Sequence, residues 1–447
     1  MSVDEAALRS AVESVLPQMR QDWFDLIRIE SISSMPEKDA ETQRSAEAVA
    51  EKLREIGCPD VKVVAEGGKP AVIAHFPAPE GQPTICLYSH HDVQPTGDPS
   101  LWQSPPFEPT ERDGRLYARG SNDDKGGIAV HLGALRAFDG KPPVGVTLFI
   151  EGEEEIGSPS LARLIETYHD ELVSDVFVIC DATNWEAGQP SFTTTLRGVA
   201  DCVVELRTLD HALHSGGFGG VVPDALTSMC RLLATLHDEK GNVAIEGLKT
   251  HPAPDLDYPE DRLRSESGIL DGVHWLGDGS AVSRLWTKPS CTVLAIDCTS
   301  VADASNTLAP VARAKVSVRV APGDDSTDAL EALVKHLESH APWGAQVSVT
   351  RGETGNPGLV PFEGELAELA QGAFRDAWDG TDPVQVGCGG SIPMIADFQQ
   401  AFPDAQVLVT AVADPDGRPH GIDESQNLDD LDKACLAEAL LLARMAR

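Results

Sequence analysis

The sequence predicts an α/β fold: a mainly parallel sheet covered by helices, interrupted by a smaller inserted α+β domain. Three observations carry this. From Val61 to Cys180, short apolar β-branched runs alternate with segments of helical spacing, as in a sheet whose strands are joined by covering helices. Near Thr193 the pattern changes to longer alternating strands with two helices between them. After Phe362 helix, strand and helix return in the first style. The expected boundaries are 1–195 and 354–447 for the two parts of one domain, with 196–353 inserted.

The elements follow in order. The N-terminal "DEAALRSAVESVLPQMRQDWFDLI" has the spacing of an amphipathic helix with acids near its start, where the helix dipole favours them. "VKVVA", "AVIAHF" and "TICLYS" read as strands, followed by a Pro-rich loop from Gln94 to Arg112. "GGIAVHLGALRAF" has helical spacing and "VGVTLFI" is a buried strand. "SPSLARLIETYHDEL" reads as one helix, with a Ser before Pro at its start. "DVFVIC" is the next strand.

In the insertion, "TTTLRGVADCVVELRTL", "SCTVLAIDC", "ARAKVSVRVAP" and "AQVSVTR" read as strands, while "DALTSMCRLLATLH" and "STDALEALVKHLESH" read as helices. A polar, acidic stretch runs to about Ser283. "FEGELAELAQGAFRDAW", "DAQVLVT" and "LDDLDKACLAEALLLARMA" complete the chain as helix, strand and helix.

Composition narrows the function. The 447 residues carry 71 Asp+Glu against 35 Lys+Arg, a formal charge of −36. That balance argues against nucleic acid and anionic membranes, whose phosphates attract Lys and Arg. No apolar run approaches the roughly 20 residues of a membrane span. Nine scattered cysteines without a C-x-x-C pair fit reduced thiols in a cytoplasmic protein.

Five segments put potential metal ligands at strand ends or in the following loops. "LYSHHDV" offers His90 and Asp92, which alternation points the same way. "ARGSNDDKGG" offers Asp123 and Asp124 before a helix. One acid suffices for a cap, leaving the other for a cation. "EGEEEIGSP" places Glu151, Glu153, Glu154 and Glu155 at the C-terminal end of a strand, the edge where open α/β sheets bind ligands. Asp181 follows "DVFVIC", and His420 lies in "GRPHGIDESQN". Each segment alone reads as structural, a helix cap for Asp123 and Asp124 and ordinary loop or solvated charge for the rest. Together they bring two His and several carboxylates to one edge, a mixed N/O set suited to zinc, with manganese or cobalt as alternatives.

"SHHDV", "GSNDDKGG", "EEIGS", "VICD" and "PHGIDE" resemble, in order and spacing, the dinuclear zinc metallopeptidases that include carnosinase, carboxypeptidase G and succinyl-diaminopimelate desuccinylase. "HHDVQP", "DDKGG", "LHSGGFGG" and "GGSIP" are most similar to the cytosolic dipeptidase branch. The resemblance covers nearly the whole chain. It implies two divalent ions per chain, bridged by Asp123, with His90 and Asp181 on one and Glu155 and His420 on the other. It implies Asp92 as the partner of His90 and Glu154 as the general base. Glu151 and Glu153 then read as charge near the mouth. His214 in "LHSGGFGG" is the implied oxyanion donor. Asn306 and Arg319 resemble positions that hold the substrate carbonyl and carboxylate, and Gly390 and Ser391 in "CGGSIP" would present backbone N–H groups. The inserted domain is implied to be a lid that dimerises, so that His214 serves the other chain of a homodimer.

Two departures stand out: Ser89 replaces the family's usual Gly, and His91 fills the middle of H-x-D. His91 reads as a packing or surface histidine that could compete as a ligand. The expected reaction is hydrolysis of dipeptides or short peptides by a water bridging two metal ions. The alternative is deacylation of N-acyl amino acids by the same machinery. A non-catalytic binding protein on this fold is the reading from another class, and loss of Glu154 or a ligand would favour it. None is lost.

Overall fold

In the computed structural model, which describes residues 4–390 and 393–446, the chain divides into two compact units. The first comprises Met1–Thr194, Val360–Val386 and Asp397–Arg447; the second comprises Thr195–Leu359 and Gly387–Ala396.

The chain opens with α1 (Glu5–Ile27) and α2 (Asp39–Glu55), then β1 (Asp60–Val64), β2 (Ala71–Phe76) and β3 (Thr84–His90). Next come α3 (Lys125–Ala137), β4 (Gly145–Glu151) and β5 (Val176–Ile179). The second unit supplies β6 (Gly198–Arg207), α4 (Ala225–Ala234), β7 (Ser290–Asp297), β8 (Val311–Val320), α5 (Ser326–Ser339) and β9 (Gln346–Gly355). The first unit resumes with α6 (Gly364–Ala377), β10 (Gln406–Val409) and α7 (Leu428–Met445).

The main sheet of the first unit has the order β1-β2-β4-β3-β5-β10. Strands β4, β3, β5 and β10 run parallel, and β1 and β2 add an antiparallel edge. Nearly every residue of β3 is buried and all of β4 and β5 are, so both faces are covered, as near-continuous apolar runs require. α1 is capped by Asp4, which accepts from the N–H groups of Ala6 and Ala7. Its apolar stripe, Leu8, Val12, Met19, Trp23 and Leu26, joins one core with Ile128 and Leu132 of α3 and Leu431 and Leu440 of α7.

The second unit is built on a four-stranded antiparallel sheet, order β7-β8-β6-β9. Its core sets Val204 and Leu206 of β6 and Val316 and Val318 of β8 against Met229 and Leu232 of α4 and Leu333 and Leu337 of α5.

Three local expectations change. "SPSLARLIETYHDEL" forms two helices, Leu161–Thr167 and His169–Leu172. Ser158 has φ +53 and cannot open a helix, and Tyr168 leaves helical geometry. The Gln94–Arg112 loop ends in a strand, Thr110–Arg112, hairpinned to Arg115–Tyr117. Its two turn residues, Asp113 and Gly114, both have positive φ, the Asp-Gly hairpin signal that the loop reading overlooked. The polar stretch before Ser283 contains the helix Glu260–Ser267. None of its residues is buried, so no apolar stripe announced it.

Candidate metal centre

Because β3, β4, β5 and β10 are parallel, the segments leaving them emerge at one edge of the sheet. His90 is the last residue of β3, in register with Glu151 at the end of β4. Asp181 follows β5 by two positions and Glu154 and Glu155 follow β4, while His420 lies in the loop after β10. Asp123 stands before α3, whose N-terminus Asp124 caps by accepting from the Gly127 N–H at 3.2 Å. The Asp123–Asp124 peptide bond is cis.

Two donor groups result. His90, Glu154 and Asp181 each offer an atom within 4.8 Å of the others, and so do Asp123, Glu155 and His420. Asp123 joins them: Oδ1 lies 3.0 Å from His90 Nε2, and Oδ2 lies 2.9 Å from His420 Nε2. One carboxylate thus turns one oxygen toward each group. His90 Nε2 is also 3.7 Å from Asp181 Oδ1, and His420 Nε2 is 3.1 Å from Glu155 Oε2. His90 Nδ1 lies 3.1 Å from the Asp92 carbonyl and 3.4 Å from its carboxylate. That fixes one proton on Nδ1, so Nε2 is the nitrogen that would turn a lone pair to a cation once it gives up its own proton.

The electrostatics call for a cation. Four carboxylates crowd here, and among the described residues no Lys or Arg pairs with Asp123, Glu154, Glu155 or Asp181. Burial, then the Asp181 charge, pushes the Glu154 carboxyl well above its usual range. Burial likewise raises Asp181 and Glu155. Burial acts on Asp123 too, but hydrogen bonds from His420 and His90 outweigh it and hold its carboxyl low. Those to Asp123 and Glu155 lift the His420 imidazole to about 10. Mutual strengthening of this kind marks groups arranged to share a positive charge. Two imidazole nitrogens with carboxylate oxygens, the shared one between them, fit a pair of divalent ions.

Other expected residues fall in several places. Asp92 accepts from the Glu155 N–H at 3.2 Å, so it touches both sides of the centre. Glu151 and Glu153 correct the sequence reading: they are not charge at a mouth but buried, at 1% and 3% exposure. Glu151 accepts from the Tyr88 hydroxyl at 2.8 Å, and Glu153 accepts from the N–H groups of Lys69 and Ser160. Buried carboxylates must be hydrogen-bonded, and two of these partners, Tyr88 and Lys69, lie far off in sequence. His91 is buried, donates Nε2–H to the Pro70 carbonyl at 2.8 Å and belongs to neither donor group.

In the second unit His214 is exposed and pairs with Thr307 across a short antiparallel bridge. The Asn306 carbonyl accepts from Ser215 N–H, so His214 and Asn306 are neighbours. His214 Nδ1 accepts from the N–H groups of Gly216 and Gly217 at 3.1 and 3.2 Å. The neutral ring therefore carries its proton on Nε2, as a donor. Arg319 sits on β8, in register with Ser290 and Val199. Gly390 N–H points to Cys388 Sγ at 3.4 Å; Ser391 lies outside the described residues.

Three residues in the quoted motifs went unassigned, yet they touch the candidate ligands. Gln94 donates its backbone N–H and its amide to the two Glu155 oxygens, at 3.0 and 2.9 Å. Arg119 and Glu424 contact the Asp123 and His420 segments. Their nearness to motif ligands was the available signal.

The family described as "Peptidase family M20/M25/M40" matches residues 86–444. The chain belongs to this peptidase family. Within the family, it is 34% identical over 450 residues to the cysteinylglycine-S-conjugate dipeptidase of Corynebacterium striatum, covering 99% of each chain. It is 27% identical to the human Beta-Ala-His dipeptidase, over 92% of this chain and 86% of that one. The fold is that of the Saccharomyces cerevisiae di-peptidase Dug1p, with a TM-score of 0.84 at 23% identity over 100% of this chain and 99% of the other. Human carnosine dipeptidase 1 gives 0.83 at 24% identity over 99% of each.

Proposed function

We propose that this peptidase hydrolyses dipeptides or short peptides with two divalent ions, most suitably zinc, with manganese or cobalt as substitutes. The observation that carries it is the Asp123 carboxylate, one oxygen toward each of two donor groups. His90 and Asp181 would hold one ion and Glu155 and His420 the other, with Asp123 between them and Asp92 orienting His90. Bound divalent ions acidify water and polarise a scissile carbonyl.

Glu154 is the general base. Its carboxylate takes a proton from the attacking water as the new C–O bond forms. It returns that proton to the leaving nitrogen as the C–N bond breaks. Burial and the Asp181 charge raise its carboxyl, so it holds a proton more readily than a free glutamate, in keeping with a group that must carry one to the leaving nitrogen. Arg319 offers a planar fork for the substrate carboxylate, Asn306 a contact for the carbonyl, and Gly390 and Ser391 backbone N–H groups.

The relatives' names favour dipeptides over N-acyl amino acids. We also propose a homodimer, each active site receiving the oxyanion donor from the partner's His214. The exposed Nε2 donor supports this, as do the exposed Leu294 and Ile296 on β7 at the edge of its sheet. The domain that pairs would be 196–353, inserted between 1–195 and 354–447. Nine scattered cysteines without a C-x-x-C pair support a reducing, cytoplasmic setting. Among the described residues, no helix is long and apolar enough to cross a membrane.

The test is a substrate panel on metal-loaded protein: Cys-Gly, its S-conjugates and β-Ala-His against N-acetyl and N-succinyl amino acids. Cleavage of the dipeptides with the acylated compounds intact is expected. The reverse pattern would replace this reading with a deacylase.

A further inference from the structure

Arg119 and Glu424 form a buried ion pair, at 1% and 0% exposure. Neither residue is a candidate ligand. Each reaches a different ligand segment. Arg119 Nη2 donates to the carbonyls of His420 at 3.0 Å, Gly421 at 3.1 Å and Pro95 at 3.1 Å. Glu424 Oε1 accepts from the N–H groups of Asn122 at 3.1 Å and Asp123 at 3.3 Å, and Oε2 accepts from Gly120 N–H at 3.0 Å. Arg119 belongs to the Asp123 segment and Glu424 to the His420 segment, so each segment's charge binds the other's backbone.

The His420 loop needs such support. Arg418, His420 and Asp423 all have positive φ, at 53°, 61° and 58°. Non-glycine residues persist there only when surrounding contacts over-determine the backbone. Arg119 supplies bonds to two consecutive carbonyls within that stretch. The planar guanidinium carries five N–H donors in a fixed fork and serves the acid and three carbonyls, whereas a lysine concentrates three donors at one point charge.

We propose that Arg119 and Glu424 are positioning residues that lock the Asp123 and His420 segments together, so that both ligands meet the second ion as one preformed unit. His90, Glu154 and Asp181 receive no hydrogen bond from the pair among the described residues, so the first group depends on it only through the shared Asp123. This rests on the two-ion reading above.

The test measures metal affinity, not turnover. Metal-free wild type, Arg119→Met, Arg119→Lys and Glu424→Gln are titrated with zinc against a chromophoric chelator. Cobalt-loaded samples are read by visible absorption, and each metal-free melting temperature is recorded. Wild type should bind two ions. In the variants the ion held by Asp123, Glu155 and His420 should weaken about 10- to 100-fold, while the other, which draws only the shared Asp123 from the locked segments, should weaken clearly less, with Arg119→Lys less affected than Arg119→Met. The cobalt band of the weakened site should change shape. Both sites weakening alike, or neither weakening while the melting temperature falls, would show a merely structural pair and overturn the inference. If Arg119→Met does not fold, the volume-conserving Arg119→Lys and Glu424→Gln decide by the same comparison. A wild type that binds no ion removes the metal centre itself, a different failure from unchanged affinities in the variants.

Discussion

Glu154 and Glu155 are adjacent, yet their side chains join different donor groups. Glu155 is fixed by Gln94 and faces His420, whereas Glu154 lies with His90 and Asp181. Glu154→Gln should retain bound metal and lower kcat by about 10²- to 10⁴-fold, the usual yield of a positioned acid–base group. Glu155→Gln should lose metal, because an amide is a poorer ligand than a carboxylate. Metal content per chain and turnover of both variants check this; metal loss from Glu154→Gln alone would reverse the assignment. Glu151 gives a pH prediction for metal-depleted protein. Burial raises its carboxyl from 4.5 to about 7, despite the hydrogen bond from Tyr88. The folded group binds its proton more tightly than the unfolded one, so its contribution is fully present below 4.5 and is lost as pH rises through about 7. Glu151→Gln should therefore melt like wild type near pH 4.5 and be more stable at pH 8, by about 1–3 kcal/mol at 1.36 kcal/mol per pH unit. A stability difference independent of pH would contradict it. The candidate donors at the strand ends were legible because a cation site calls for imidazole and carboxylate side chains, while their individual roles rested on the family resemblance. The burial of Glu151 and Glu153 was not, since an acidic run looks the same whether water or Tyr88 and Ser160 surround it.

The start of α3 illustrates how elements hold the centre. A Cβ on Gly127 would come within 2.6 Å of Ser89 Oγ and 2.7 Å of the Cys180 carbonyl, besides meeting the Asp124 carboxylate. Close approach between helix and strand ends keeps Asp124 as the cap and sets Asp123 at the sheet edge. Gly127→Ala should thus destabilise by about 1–3 kcal/mol, as overpacking does, although alanine favours helix by about 1 kcal/mol. Gly372→Ala in α6 is the control: its new methyl meets only the flexible end of Arg444, so the variant should be neutral or slightly stabilised. Urea denaturation of both separates the effects, and equal midpoints would refute the packing account. Strands β3 to β5 were legible because runs buried on both faces are continuously apolar. The Asp113–Gly114 hairpin carried its signal in two residues, and the Glu260–Ser267 helix carried none.

At the scale of the molecule, the donor groups belong to the first unit and His214 to the second. If each site uses the partner's His214, then His214→Ala and Glu154→Gln should each be nearly inactive. Mixed with subunit exchange, random pairing makes half the dimers hybrid, each with one complete site, so about a quarter of wild-type activity should return. A verified hybrid with no recovery would exclude the exchange. The change of pattern at Thr193 was visible because an antiparallel sheet alternates while a covered parallel sheet does not. How segments 305 residues apart meet, as Arg119 and Glu424 do, depends on tertiary pairing that no local pattern encodes. The most direct measurement removes the ions with a chelator, verifies their loss by elemental analysis, and follows dipeptide hydrolysis as zinc, manganese or cobalt is titrated back. Activity should vanish and return as two ions bind per chain; full activity in verified metal-free protein would contradict the account.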